Sequence, residues 1–111
     1  MRAINTTTGR PLAIEVRVLT GLSRLRGLMF ARGLRPGQAL LLPRCRAIHT
    51  GFVREPIDVV FLEATGHVLR LCDQLRPFRV RTCPGACAVL ELPAGSAART
   101  QTSVGDQVVL Q

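Results

Sequence analysis

Apolar and polar positions alternate from Pro11 to Thr20, with Leu12, Ile14, Val16 and Val18 on one side and Glu15 and Arg17 among those on the other. A period of two predicts a half-buried strand. Thr20 stands where a side-chain oxygen can cap a helix over Gly21 to Phe30. In that stretch Leu22, Leu25 and Met29 share a helical face with Leu28 beside them, while Arg24 and Arg26 lie elsewhere on the cylinder. Gly33 then supplies a stop and Pro36-Gly37 a turn.

Beyond that turn the pattern predicts strands. Gln38 to Leu42 is a short apolar strand closed by Pro43, and Cys45 to Thr50 offers a second. Ile57-Asp58-Val59-Val60-Phe61-Leu62 is a near-continuous apolar run of strand length, which implies burial on both faces. Glu63 to His67 is a hairpin loop, with Gly66 available for a positive φ, and Val68 to Cys72 is the return strand. Phe78, Val80 and Thr82 alternate with Arg79 and Arg81, and Ala86 to Leu92 alternates again. Pro93-Ala94-Gly95 breaks the pattern before a short helix near Ser96 to Thr100; Gly105-Asp106 turns the chain into a last strand, Gln107 to Leu110. The prediction is an α+β fold: a mostly antiparallel, barrel-like β domain over residues 1–111, with one or two short helices.

Composition narrows the class. The chain has 111 residues, 47% hydrophobic and 20% charged, so it can bury a core of its own. Its longest apolar run, Ala39 to Leu42, is far too short to span a bilayer. The first residues lack the apolar stretch of a secretory signal, so a cytoplasmic location is expected, with the four cysteines as thiols. All fifteen basic residues are arginine against seven acidic ones, a formal charge of +8. That excess suits an anionic small molecule or an acidic protein surface. Specific nucleic-acid binding is not expected: the arginines are dispersed, with close pairs such as Arg24/Arg26, Arg44/Arg46 and Arg79/Arg81, and aromatics make up only 4%.

Five segments occur in a distinctive order: Arg26-Gly27-Leu28-Met29-Phe30, Ile48-His49-Thr50, Pro56 to Leu62 before a glycine hairpin, Leu90-Glu91-Leu92-Pro93-Ala94-Gly95, and Val104-Gly105-Asp106. In this order and spacing the chain resembles the domain of unknown function 192 family of small bacterial and archaeal proteins. The resemblance runs from about Leu12 onward. It implies a β-rich fold and supplies no established reaction. Relatives tend to carry Phe-Gly-Met-Arg after the histidine, where this chain reads Gly51-Phe52-Val53-Arg54.

The candidate ligand-binding residues are Arg26, His49, Thr50, Arg54 and Asp58. Asp58 opens an apolar run, where an unpaired charge is costly. It either caps a turn through its own side chain or pairs with His49 or Arg26; a carboxylate beside an imidazole fixes the tautomer and favours protonation. His49 in a strand-like stretch is either a structural histidine or part of that site, whereas His67 belongs to the hairpin loop. A thiol or metal site would draw on Cys45, Cys83 and Cys87, but Cys45 and His49 are about 13 Å apart if the segment is extended. Neither metal nor cofactor is expected. The Leu92 to Ser96 transition offers free backbone N–H groups to an anion. No nucleophile elbow is present, and the leading expectation is a non-catalytic binding module; an enzyme or metal/thiol-site protein using His49 and Asp58, or Cys45, Cys83 and Cys87, is the first alternative, and nucleic-acid binding through a basic surface the second.

Overall fold

The computed structural model describes residues 1–20, 34–51 and 55–111. The helix expected over Gly21 to Phe30, Gly33, and the site residues Arg26 and Arg54 lie outside the described residues. Among the described residues there are ten strands: β1 (Ala3–Asn5), β2 (Arg10–Ala13), β3 (Glu15–Val18), β4 (Gln38–Pro43), β5 (Ala47–His49), β6 (Ile57–Leu62), β7 (Val68–Leu75), β8 (Val80–Thr82), β9 (Ala88–Pro93) and β10 (Val108–Leu110). One short helix, α1 (Ser96–Arg99), sits between the last two. They form sheets of order β10-β1-β2, β3-β4-β9-β6-β7 and β5-β8. All pairings are antiparallel except β3 with β4. The α+β, mostly antiparallel expectation holds.

The five-stranded sheet is covered on both sides, which is why every residue of β6 is buried. Successive residues of a strand point to opposite faces. Leu42, Val59, Phe61 and Val89 accordingly enter one apolar cluster with Leu19, Cys45 and Ile48. Leu41, Val60, Leu62, Leu90 and Leu92 enter another, completed by Ala3, Leu12, Ala13 and Val108 of the three-stranded sheet. The β5-β8 ribbon is thus fastened to the first face through Ile48, and the chain ends are folded against the second.

Pro11 to Thr20 departs from the single strand its alternation predicts. The backbone bends at Ile14, where the amides of Ile14 and Glu15 both donate to the Gly37 carbonyl, 2.8 and 3.0 Å away. The chain changes sheet there, so Leu12 and Val16 are buried while Ile14 and Val18 face solvent. Two turns follow the prediction. Gly37 (φ 89°) lies inside a turn closed by the Gln38 amide on the Arg35 carbonyl at 2.9 Å. Gly66 (φ 89°) lets the β6-β7 loop pass close against β10, whose Val108 amide donates to the Gly66 carbonyl at 2.9 Å.

Candidate functional site

Asp58 lies in the interior of β6, fully buried, and both of its oxygens have backbone donors from other elements. The Gln74 amide donates to Oδ1 at 2.9 Å and the Ala97 amide to Oδ2 at 2.8 Å. The β6-β7 register shifts between Ile57 and Val59, and Gln74 has a φ of 50°. The carboxylate therefore joins an irregular stretch of β7 to the first turn of α1. That first-turn amide is among the groups an anion could use at this transition; here the chain's own carboxylate takes it. Beside it, the exposed Asp73 carboxyl is raised by desolvation, by the charge of Asp58 and by a hydrogen bond with it.

His49 is exposed on β5, directly opposite Val80 of β8. Thr50, the next residue, is buried and clamps the segment leading into β8. Its hydroxyl donates to the Arg76 carbonyl at 2.7 Å and accepts from the Arg79 amide at 2.8 Å. Its backbone adds two more bonds: the Thr50 amide to the Arg79 carbonyl at 2.8 Å, and the Phe78 amide to the Thr50 carbonyl at 3.0 Å. His49 and Thr50 are thus brought together with Phe78, Arg79 and Val80, residues that the sequence offered only as a strand pattern. Asp58 is engaged elsewhere, with β7 and α1.

The ribbon is rich in guanidinium groups. Arg44 and Arg46 precede β5, Arg76 and Arg79 precede β8, and Arg81 lies in it. Two of these are steadied by carbonyls, Arg81 Nη1 donating to Val80 at 2.7 Å and Arg79 Nη1 to Phe78 at 3.3 Å, and Arg70 of β7 reaches across to the Thr82 carbonyl at 2.7 Å. Among the described residues no arginine lies within ion-pair distance of a carboxylate; His67 Nδ1 lies 3.1 Å from a Glu63 carboxylate oxygen, an ion pair only when the imidazole is protonated.

Glu91 belongs to the segment Leu90-Glu91-Leu92-Pro93-Ala94-Gly95. It sits on β9, the middle strand of the five, between Leu40 of β4 and Val59 of β6. Both carboxylate oxygens are buried without a hydrogen-bond partner, and burial pushes the group from 4.5 up to about 7. The signal available in the sequence was one acid inside the strand Val89-Leu90-Glu91-Leu92.

The thiols are spread out. Cys45 is buried with its Sγ 3.1 Å from the Ala47 carbonyl, Cys72 and Cys83 are half-buried, and Cys87 is exposed; all four are free. Among the described residues no group of three histidine, cysteine or acidic side chains could hold a metal ion. No described helix is long and apolar enough to cross a membrane.

Comparison with known proteins places this architecture. The chain is 37% identical over 114 residues to a UPF0127 protein of Pyrococcus furiosus, covering 95% of this chain and 94% of that one. It is 31% identical over 111 residues to a UPF0127 protein of Thermococcus sibiricus, covering 95% and 71%. Among solved structures, a Sinorhizobium meliloti protein described as a "putative transcription regulator" superposes with a TM-score of 0.82 at 24% identity, over 97% of this chain and 89% of that one. A protein of unknown function from Novosphingobium aromaticivorans gives 0.83 at 22% identity, over 99% and 84%. At such identities these two likenesses carry the fold alone. The family model for DUF192, an uncharacterized group, matches residues 3–110, and the chain belongs to that family.

Proposed function

We propose that this protein is a non-catalytic binding module whose arginine-rich β5-β8 ribbon receives an acidic protein surface. The observation that carries this reading is the absence, among the described residues, of any carboxylate paired with a guanidinium in a chain of charge +8. Guanidiniums held near backbone carbonyls are pre-oriented, so less freedom is lost when a carboxylate arrives to be gripped through two N–H groups. The enzymatic alternative draws less support, because Asp58 spends its oxygens on the Gln74 and Ala97 amides.

Anisotropy with a labelled hexaglutamate peptide tests the proposal. Binding is expected at low salt, weakening as salt rises, with about a tenfold loss in the double variant Arg76→Gln/Arg79→Gln. No binding, or binding indifferent to that variant, would overturn it. A second reading, nucleic acid, draws on the name given to the Sinorhizobium meliloti protein. Tighter binding of a duplex DNA than of the peptide at matched charge would favour it.

A further inference from the structure

Two large apolar side chains stand in solvent beside these arginines. Phe78 is 78% exposed and Val80 64% exposed, the highest values among the large apolar residues of the described chain. Val80 projects from the outer face of the ribbon with its cross-strand partner His49, and Ala47 and Thr82 on that face are exposed as well. Phe78 has a φ of 61°, in the left-handed region where a phenylalanine is strained and a glycine would sit freely. The Thr50 clamp holds it there through the Phe78 amide, the Arg76 carbonyl and the Arg79 amide. A strained backbone maintained by a buried clamp, with the aromatic ring turned outward, contributes nothing to the core; it presents the ring.

We infer that Phe78 and Val80 form the apolar centre, and Arg76 and Arg79 the charged rim, of a docking face for an acidic protein segment that carries leucine-like side chains. The inference rests on the reading above and specifies its partner. Aromatic and arginine side chains are the groups that most often dominate protein interfaces, apolar at the centre and charged at the edge. The charge selects an acidic occupant. The Phe78-Val80 pair selects one with apolar side chains, which a phosphate backbone lacks. His49 and Thr82 interleave with the apolar groups, so the contact is the size of one or two side chains rather than a continuous face that could sink into lipid.

The test compares two labelled peptides, Glu-Glu-Leu-Leu-Glu-Glu and hexaglutamate, on the wild-type chain, Phe78→Ser and Phe78→Gly. At about 0.3 M salt, where exposed charge is screened, the leucine peptide is expected to bind about tenfold tighter than hexaglutamate. Both variants should erase that preference while leaving hexaglutamate affinity at low salt unchanged. Phe78→Gly should melt at or above the wild-type temperature, because glycine tolerates this φ, so loss of preference cannot be laid to unfolding. Equal affinity for the two peptides, or a preference that survives Phe78→Ser, overturns the inference and leaves the arginine reading standing. Failure of both peptides to bind at any salt removes both. Phe78-dependent binding to phosphatidylserine vesicles in place of the leucine peptide overturns it in favour of a membrane surface.

Discussion

Glu91 gives the chain an unusual dependence on pH. Its carboxyl is raised from 4.5 to about 7 by burial, so between those values the folded protein holds a proton that the unfolded chain has released. Stability then falls as pH rises, because the unfolded state binds fewer protons. The stabilisation is complete below about 4.5, drains away up to about 7, and is absent above it. This is opposite in sign to an ion-paired carboxylate, whose contribution disappears in acid. Displacing a carboxyl from 4.5 to about 7 corresponds to about 3 kcal/mol. Against the roughly 5–15 kcal/mol that holds a domain of this size together, that is a large term.

The perturbation that isolates it is Glu91→Gln, which keeps the shape of the side chain and cannot ionise. Urea unfolding of both proteins from pH 4.5 to 8.5 at constant ionic strength gives a stability difference in which the titrations common to both, including Asp73, drop out. The two should have similar midpoints near pH 5 and diverge above it, the variant gaining about 3 kcal/mol by pH 8. With a urea slope of about 1–3 kcal/mol/M, the midpoint then moves by about 1–3 M. Glu91→Leu, which also removes the two unpartnered oxygens, should exceed the wild type at pH 8 by at least as much. Parallel wild-type and Glu91→Gln curves across the range would refute the argument, since they would mean that Glu91 has the same proton affinity folded and unfolded.

Three further outcomes follow from the geometry. Thr50→Val removes the hydroxyl that serves Arg76 and Arg79, and should cost about 1–3 kcal/mol in urea melts and speed amide exchange over residues 76–79. Asn5→Ala should cost at least as much, because the side chain donates to Thr102 and Asp106 and accepts from the Thr7 and Thr8 amides, tying β1 to the loop before β10; amide exchange at residues 7 and 8 reports the loss. Gly66→Ala should destabilise by more than about 1 kcal/mol, since a Cβ there meets the Val108 carbonyl oxygen at a φ of +89°; a thermal melt that matches wild type would count against this close approach.

What was legible in the sequence was what local chemistry decides. The run Ile57 to Leu62 announced a strand buried on both sides, and Gly37 and Gly66 took the positive φ that their turns required. A period of two shows that residues share a face; it does not show which face meets the core. Leu12 to Val18 alternated as predicted, yet the bend at Ile14 divided the stretch between two sheets and left Val18 outside. Val80 and Thr82 alternated with Arg79 and Arg81, and it was the valine that turned to solvent.

Asp58 and Glu91 carry the same lesson into chemistry. Each is a lone acid in an apolar strand, on neighbouring strands β6 and β9, and their pairing with Leu92 and Val59 at successive register positions sends them to opposite faces. The sequence offers no means of separating them. Asp58 is satisfied because an amide 16 residues ahead and another 39 residues ahead are folded back onto its two oxygens. Glu91 meets an apolar face with no donor. Its cost is therefore set by strand order, which brings Leu40 and Val59 alongside it, rather than by any motif around it. Local context left Asp58 open between capping a turn and pairing with His49 or Arg26; the donors that fold onto it are the Gln74 and Ala97 amides, whereas Glu91 is an acid buried without a partner.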